Sequence, residues 1–138
     1  VPFIVNQPGM VPIQTLDNLI YFPDMMPTLA ALAKGTKHLP KQINGINILP
    51  LFYGKQVDTD NRLLYWEFPG KQRAARKGDW KCVTIHPNQP LELYNLKEDP
   101  EETNNLAQKY PRRVKEFDEE MQRMHIPTPN WPQPGEQF

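Results

Sequence analysis

The sequence predicts an α+β fold: a strand–helix piece, then a small antiparallel sheet with one amphipathic helix laid across it. Three observations lead there. Short apolar runs punctuated by turn residues recur between positions 63 and 96. One stretch, beginning at Pro111, carries Val114, Phe117, Met121 and Met124 on a single helical stripe. Sixteen prolines in 138 residues, against an average of about 5%, leave little room for long regular elements elsewhere.

The elements follow in order. Val1–Val5 is an apolar run stopped by Gln7-Pro8-Gly9 and reads as a buried strand. From Asp24 to Lys34, Met25, Leu29, Leu32 and Ala33 fall at helical spacing, with Asp24 as N-cap and Gly35 as the residue after the C-cap. Pro27 then sits at the third helical position, where its missing N–H would have had no intrahelical partner. Leu39 to Gly54 reads as a packed loop ending in one helical turn, and Gln56 to Asn61 as a polar boundary. Leu63–Phe68, Arg73–Lys77, Lys81–Ile85 and Leu91–Leu96 read as strands, with a hairpin at Gly78-Asp79. A helix runs from Pro111, a favoured first helical residue, to Met124. The tail from Ile126 to Phe138 holds four prolines and is expected to run extended.

Composition excludes several function classes. Lys plus Arg and Asp plus Glu are 16 each, so the formal net charge is zero. Neither a nucleic-acid footprint nor an acidic tail for a basic partner is present. The single cysteine, Cys82, can form no internal disulfide and no paired metal-ligand spacing. Every apolar stretch is too short for a transmembrane helix, so no membrane partner is expected. The chain opens on a strand pattern, with neither a signal-peptide pattern nor an initiator Met, as a piece of a longer protein would. One strand and one helix in the first third cannot bury their own apolar surface. Exposed in that way they favour self-association.

No local chemistry signature is present: no phosphate loop, no G-x-S-x-G elbow, no H-E-x-x-H. His38, His86 and His125 are far apart in sequence, and His38 and His125 read as solvated surface groups. His86 ends a strand before Pro87, where it is placed to line a pocket rim. Cys82 reads as a small buried apolar residue, and Trp66 and Trp80 as sheet packing. Lys71, Gln72, Arg73, Arg76 and Lys77 form a local basic patch after a strand. Solvated cations are its ordinary reading; an anionic, for instance sulfated, ligand is the functional one.

Three segments carry the reading further. They are Val1-Pro2-Phe3-Ile4-Val5-x-x-Pro8-Gly9, then Asp24-x-x-Pro27-Thr28-Leu29-x-x-Leu32-Ala33, and then a downstream group. That group comprises Leu64–Phe68, Arg76–Lys81 and Leu93-Tyr94-Asn95-Leu96-x-x-Asp99-Pro100-x-Glu102-x-Asn104-Asn105-Leu106-Ala107. In order and spacing they resemble the C-terminal part of arylsulfatase-type sulfatases. The resemblance implies an α/β parent. Residues 1–56 would end its large α/β domain, and 57–138 would form a C-terminal subdomain of antiparallel sheet, helix and Pro-rich tail.

It also implies that the parent hydrolyses sulfate esters. The family nucleophile is a formylglycine made from a C/S-x-P-x-R motif, with a calcium ion held by Asp and Asn. These lie upstream of the strand that Val1–Val5 resembles, so no catalytic residue and no metal ligand is expected within this chain. The implied partners are a missing N-terminal catalytic domain and, through it, a sulfated substrate. The implied location is a secreted, periplasmic or lysosomal parent. Glu67, Lys71, Gln72, Arg73 and His86 are the candidates for the substrate-pocket rim, by position and not by a family match. Two other readings stay open: a stand-alone binding or assembly module, and another alkaline-phosphatase superfamily hydrolase.

Overall fold

The computed structural model describes residues 3–68, 72–86, 89–130, 132 and 135–137. The chain divides into two compact units, Val1–Asp60 and Asn61–Phe138. Among the described residues no helix is long and apolar enough to cross a membrane.

The first unit is built by polar braces. Helix α1 spans Met25–Leu32, entered through a 3-10 turn at Phe22–Asp24, and α2 is the single turn Leu49–Phe52. Asp24 and Thr28 are four residues apart, share one side of α1 and are fully buried. The Asp24 carboxylate accepts from the N–H of Tyr21 (3.0 Å) and of Ile46 (2.9 Å). The Thr28 hydroxyl accepts from the N–H of Ile48 (3.0 Å). A loop without its own ladder thus has its buried donors satisfied by α1. Gly45 makes that approach possible: a Cβ there would lie 2.0 Å from the Pro23 carbonyl oxygen.

Two expectations for this unit are corrected. Phe3–Val5 form no strand, because a strand needs a hydrogen-bonded neighbour and none is found among the described residues of the unit; Val1 and Pro2 lie outside them. The left-handed residue closing α1 is Lys34 (φ 57), not Gly35. Lys34 N–H donates to Ala31 and Gly35 N–H to Ala30, the paired bonds of a Schellman ending with Lys34 at C′. The apolar stripe of α1 stays uncovered, as expected of a lone helix in this unit. Leu29 and Leu32 are 57% and 50% exposed, while Pro27 and Thr28 are buried. The hydrogen bonds of Asp24 and Thr28 select the docked face, and those two are not on the apolar stripe.

The second unit is a four-stranded antiparallel meander, in order β1 (Leu63–Phe68), β2 (Gln72–Lys77), β3 (Trp80–Thr84) and β4 (Glu92–Asn95). Register places Tyr65, Ala75, Cys82 and Leu93 in one row across it. Two of those four are small, so a helix can approach closely. Helix α3 (Pro111–Met124) fills the space with Phe117 and Met121, and Val114 packs beside them. Burial pushes the Cys82 thiol up to about 12, as befits a core residue rather than a nucleophile. A second row, Glu67–Arg73–Thr84, crosses the same face at the end of the sheet.

The edge strand β4 is covered by the loop after it. Leu106 N–H donates to the Leu93 carbonyl (2.7 Å), and the Asn105 side chain accepts from Leu93 N–H (3.2 Å). Asp99 organises the turn that brings them there. Its carboxylate accepts from the N–H groups of Asn104 (2.8 Å) and Thr103 (3.1 Å), which hold it below the ordinary carboxylate range. Glu102 adopts a left-handed backbone (φ 57), and its carboxylate meets Lys81 Nζ at 2.6 Å. The segment Asp99-Pro100-x-Glu102-x-x-Asn105-Leu106 is thus a device for closing an exposed edge.

Phe117→Ala should cost on the order of 3–5 kcal/mol, because it opens a cavity under α3. Glu119→Ala, on the exposed side of the same helix, should change stability by no more than about 0.5 kcal/mol. Urea melts of both variants check this; equal midpoints would mean that the other face of α3 is the seated one.

Candidate functional site

Polar side chains gather where the Glu67–Arg73–Thr84 row meets the end of α3. Glu67 stands on β1 two residues after Tyr65, so both point to the helix face. The Tyr65 hydroxyl donates to Glu67 Oε1, and burial together with that bond raises the tyrosine above its usual range. His125, the residue after α3, places Nδ1 2.5 Å from the same Glu67 oxygen. Its Nε2 meets the carboxylate of Glu136 from the tail. Beside them Arg73 pairs with Asp118 of α3 (3.2 Å), and Gln122 donates to the other Asp118 oxygen (2.9 Å).

The rim candidates do not all converge. Glu67 and Arg73 lie in one row on the helix face. Gln72 pairs with Phe68 and faces the opposite side of the sheet. His86 is exposed just past β3, where its carbonyl accepts from the Thr84 hydroxyl (2.8 Å). Lys71 lies outside the described residues. The reading of His125 as a solvated surface group is corrected: its side chain is only 19% exposed and is clamped between two carboxylates. Sequence separation hides this, because 58 residues divide it from Glu67. A usable signal is its place at the end of an amphipathic helix that must lie over the sheet.

Chemically, the cluster can hold a proton, with three carboxylates, Glu67, Asp118 and Glu136, facing Arg73 and His125. Among the described residues of the cluster there is neither serine nor cysteine. Among the described residues no three His, Cys, Asp or Glu side chains are grouped to hold a metal ion. The opposite face of the sheet exposes Trp66 (43%), Phe68 (61%) and Ile85 (51%). The first unit carries a groove of about 510 Å³ lined by Phe3, Val5, Gln14, Asn18, Ile48 and Phe52, among others. Its amides are already engaged, Gln14 with the Leu51 carbonyl and Asn18 with Thr59.

The family model of the N-sulphoglucosamine sulphohydrolase C-terminal region matches residues 1–126. The chain belongs to the sulfatase family, as its C-terminal region. An uncharacterised protein of Haemophilus influenzae is 33% identical over 126 residues, 83% of this chain and 63% of that protein. Arylsulfatase K of Gallus gallus is 29% identical over 133 residues, 86% of this chain and 24% of the chicken protein. A solved 2-O GAG sulfatase superposes with a TM-score of 0.55 at 27% identity, covering 72% of this chain and 24% of that one. The phosphonate monoester hydrolase of Agrobacterium radiobacter shares the fold at 20% identity, with a TM-score of 0.51 over 72% of this chain and 23% of its own. The sulfatase chain thus spans less than two thirds of the Haemophilus protein and about a quarter of the other three.

Proposed function

We propose that this sulfatase C-terminal region serves a parent that hydrolyses sulfate esters, by completing its fold and shaping the rim of its substrate pocket. The observation that carries this reading is the family match over residues 1–126. The sequence agrees with a supporting role. It contains no serine, and its one cysteine is followed by Val83-Thr84-Ile85 rather than x-Pro-x-Arg. Calcium and formylglycine, which supply charge stabilisation and the nucleophile in this family, therefore belong to residues of the parent outside this chain.

Partnership follows from surface. Leu29, Leu32, Ile4 and Ile13 of the first unit are at least half exposed, apolar surface open to a partner. The catalytic domain is the proposed cover. Without it, self-association of the chain is the expected alternative. Of the rim candidates, Lys71, Gln72 and His86 are the proposed rim, with Lys71 as the cation suited to a sulfated ligand; Glu67 and Arg73 are engaged with His125 and Asp118 on the helix face.

Two experiments test these parts. The isolated chain, given a chromogenic aryl sulfate and calcium, should show no turnover above a buffer blank. Turnover that survives repurification would place the chemistry inside this chain and overturn the supporting role. In the parent enzyme, His86→Ala should raise KM severalfold at nearly constant kcat and melting temperature. If KM stays unchanged, His86 is not part of the rim.

A further inference from the structure

The zero net charge of the chain hides a segregated distribution. Between Met25 and Val57 there are four lysines and no Asp or Glu, so every acidic side chain lies elsewhere in the sequence. Three of those lysines, Lys34, Lys37 and Lys41, fall within eight residues where α1 ends. The backbone there folds tightly. After the Schellman ending of α1 comes a 3-10 turn at Thr36–His38, in which His38 N–H donates to Gly35 (3.0 Å) and Leu39 N–H to Thr36 (3.2 Å). Even a fully extended chain could separate Lys34 from Lys37 by at most roughly 11 Å, and Lys37 from Lys41 by at most roughly 14 Å. Those limits are close to the Debye length of about 8–10 Å in ordinary salt, so the three ammonium groups act on a ligand as one field.

Nothing inside the unit accounts for this grouping. All three lysines are exposed, and among the described residues none of them is paired with a carboxylate. Cations stabilise a helix C-terminus within its last turn, but the last turn of α1 holds none. Lys34 has the left-handed backbone (φ 57) that glycine adopts without strain, so local conformation does not favour a lysine there. Three like charges so close also repel one another. Burying them under a partner that brings no carboxylates would leave them uncompensated, which is costly. Their field is satisfied by an anionic partner.

We infer that Lys34, Lys37 and Lys41 form a docking surface for a linear sulfated polysaccharide. The charge complementarity stands on the first unit alone; the choice of sulfate as the anion rests on the reading of the parent as a sulfate-ester hydrolase. Two further observations favour a polysaccharide over a nucleic acid. Residues 33–42 contain no Phe, Tyr or Trp, so the surface offers no platform on which bases would stack. The cations are lysines rather than arginines. An ammonium on a flexible stem is a point charge that follows sulfates at varied spacing, whereas a guanidinium fork selects one fixed bidentate geometry. An exposed turn of this kind holds a polymer by several screened contacts in parallel, so its grip weakens as salt is added.

Isothermal titration of the full chain with dextran sulfate tests this, with unsulfated dextran and duplex DNA as comparisons. Dextran sulfate should bind, unsulfated dextran should not, and duplex DNA should bind at least about tenfold more weakly. Raising NaCl from about 50 mM to about 200 mM should weaken dextran sulfate binding on the order of tenfold, as for other linear polyanions. Lys34→Gly, Lys37→Gln and Lys41→Gln together should weaken it about tenfold or more and flatten its salt dependence. A charge-matched control on exposed positions of the second unit, Lys97→Gln, Arg112→Gln and Lys115→Gln, should change it less than about twofold. Urea midpoints verify the fold; Lys37→Gln with Lys41→Gln alone leaves residue 34 untouched and should still weaken binding severalfold. No binding of dextran sulfate would overturn the inference, as would equal losses in the two triple variants, or duplex DNA bound as tightly as dextran sulfate. Turnover of a chromogenic aryl sulfate by the parent enzyme is read separately. Turnover without dextran sulfate binding sinks the docking surface and spares the sulfatase reading; binding without turnover does the reverse.

Discussion

The second unit depends on one seal, that of α3 against the row Ala75, Cys82 and Leu93. Small side chains on the two inner strands let the helix come close, and Phe117 and Met121 fill what they leave. Fully burying two such side chains contributes roughly 1.5–3 kcal/mol each, a large share of the ~5–15 kcal/mol that holds a domain. The polar contacts at the end of α3 are placed by that seal. It brings Asp118 to Arg73. It carries the chain to His125 at the level of Glu67. The edge device around Asp99 and Asn105 protects the same sheet from the other side in sequence, by occupying the free edge of β4.

The first unit is held together differently. Its few regular elements bury little apolar surface, and two buried polar side chains, Asp24 and Thr28, satisfy the backbone of the 44–48 loop instead. Removing either would strand a buried N–H, which costs about 1–3 kcal/mol. A unit organised in this way has its apolar side chains left over for something else. The sulfatase family membership supplies a coherent reason: this is a region whose larger relatives extend well beyond it, and a domain boundary within them need not be an independently sealed surface.

Much of the second unit was legible in the sequence because its signals are local and redundant. An apolar run stopped by turn residues marked β1, period-two alternation marked β4, Gly78-Asp79 marked the hairpin, and Pro111 with one apolar stripe marked α3 to its ends. The first unit was less legible because its determinants are long-range. A short apolar run does not become a strand without a pairing partner, and Phe3–Val5 have none among the described residues. Which face of α1 docks was not legible, because Asp24 and Thr28, 22 and 20 residues from their loop partners, choose it. The site was only partly visible. Glu67 and Arg73 were named only as rim candidates by their place near a strand end, not as members of this cluster. His125 was not, since nothing near it in sequence announces either carboxylate.

Cys82 provides the most direct measurement of the seal, because it is fully buried in the middle of the row that α3 covers. Its thiol should react with a chromogenic disulfide reagent only as fast as the unit unfolds. Under native conditions modification should be very slow. With added urea its rate should rise along the same transition that circular dichroism reports. Rapid, denaturant-independent modification of Cys82 in the folded chain would contradict the account, because it would mean that α3 does not close over the sheet.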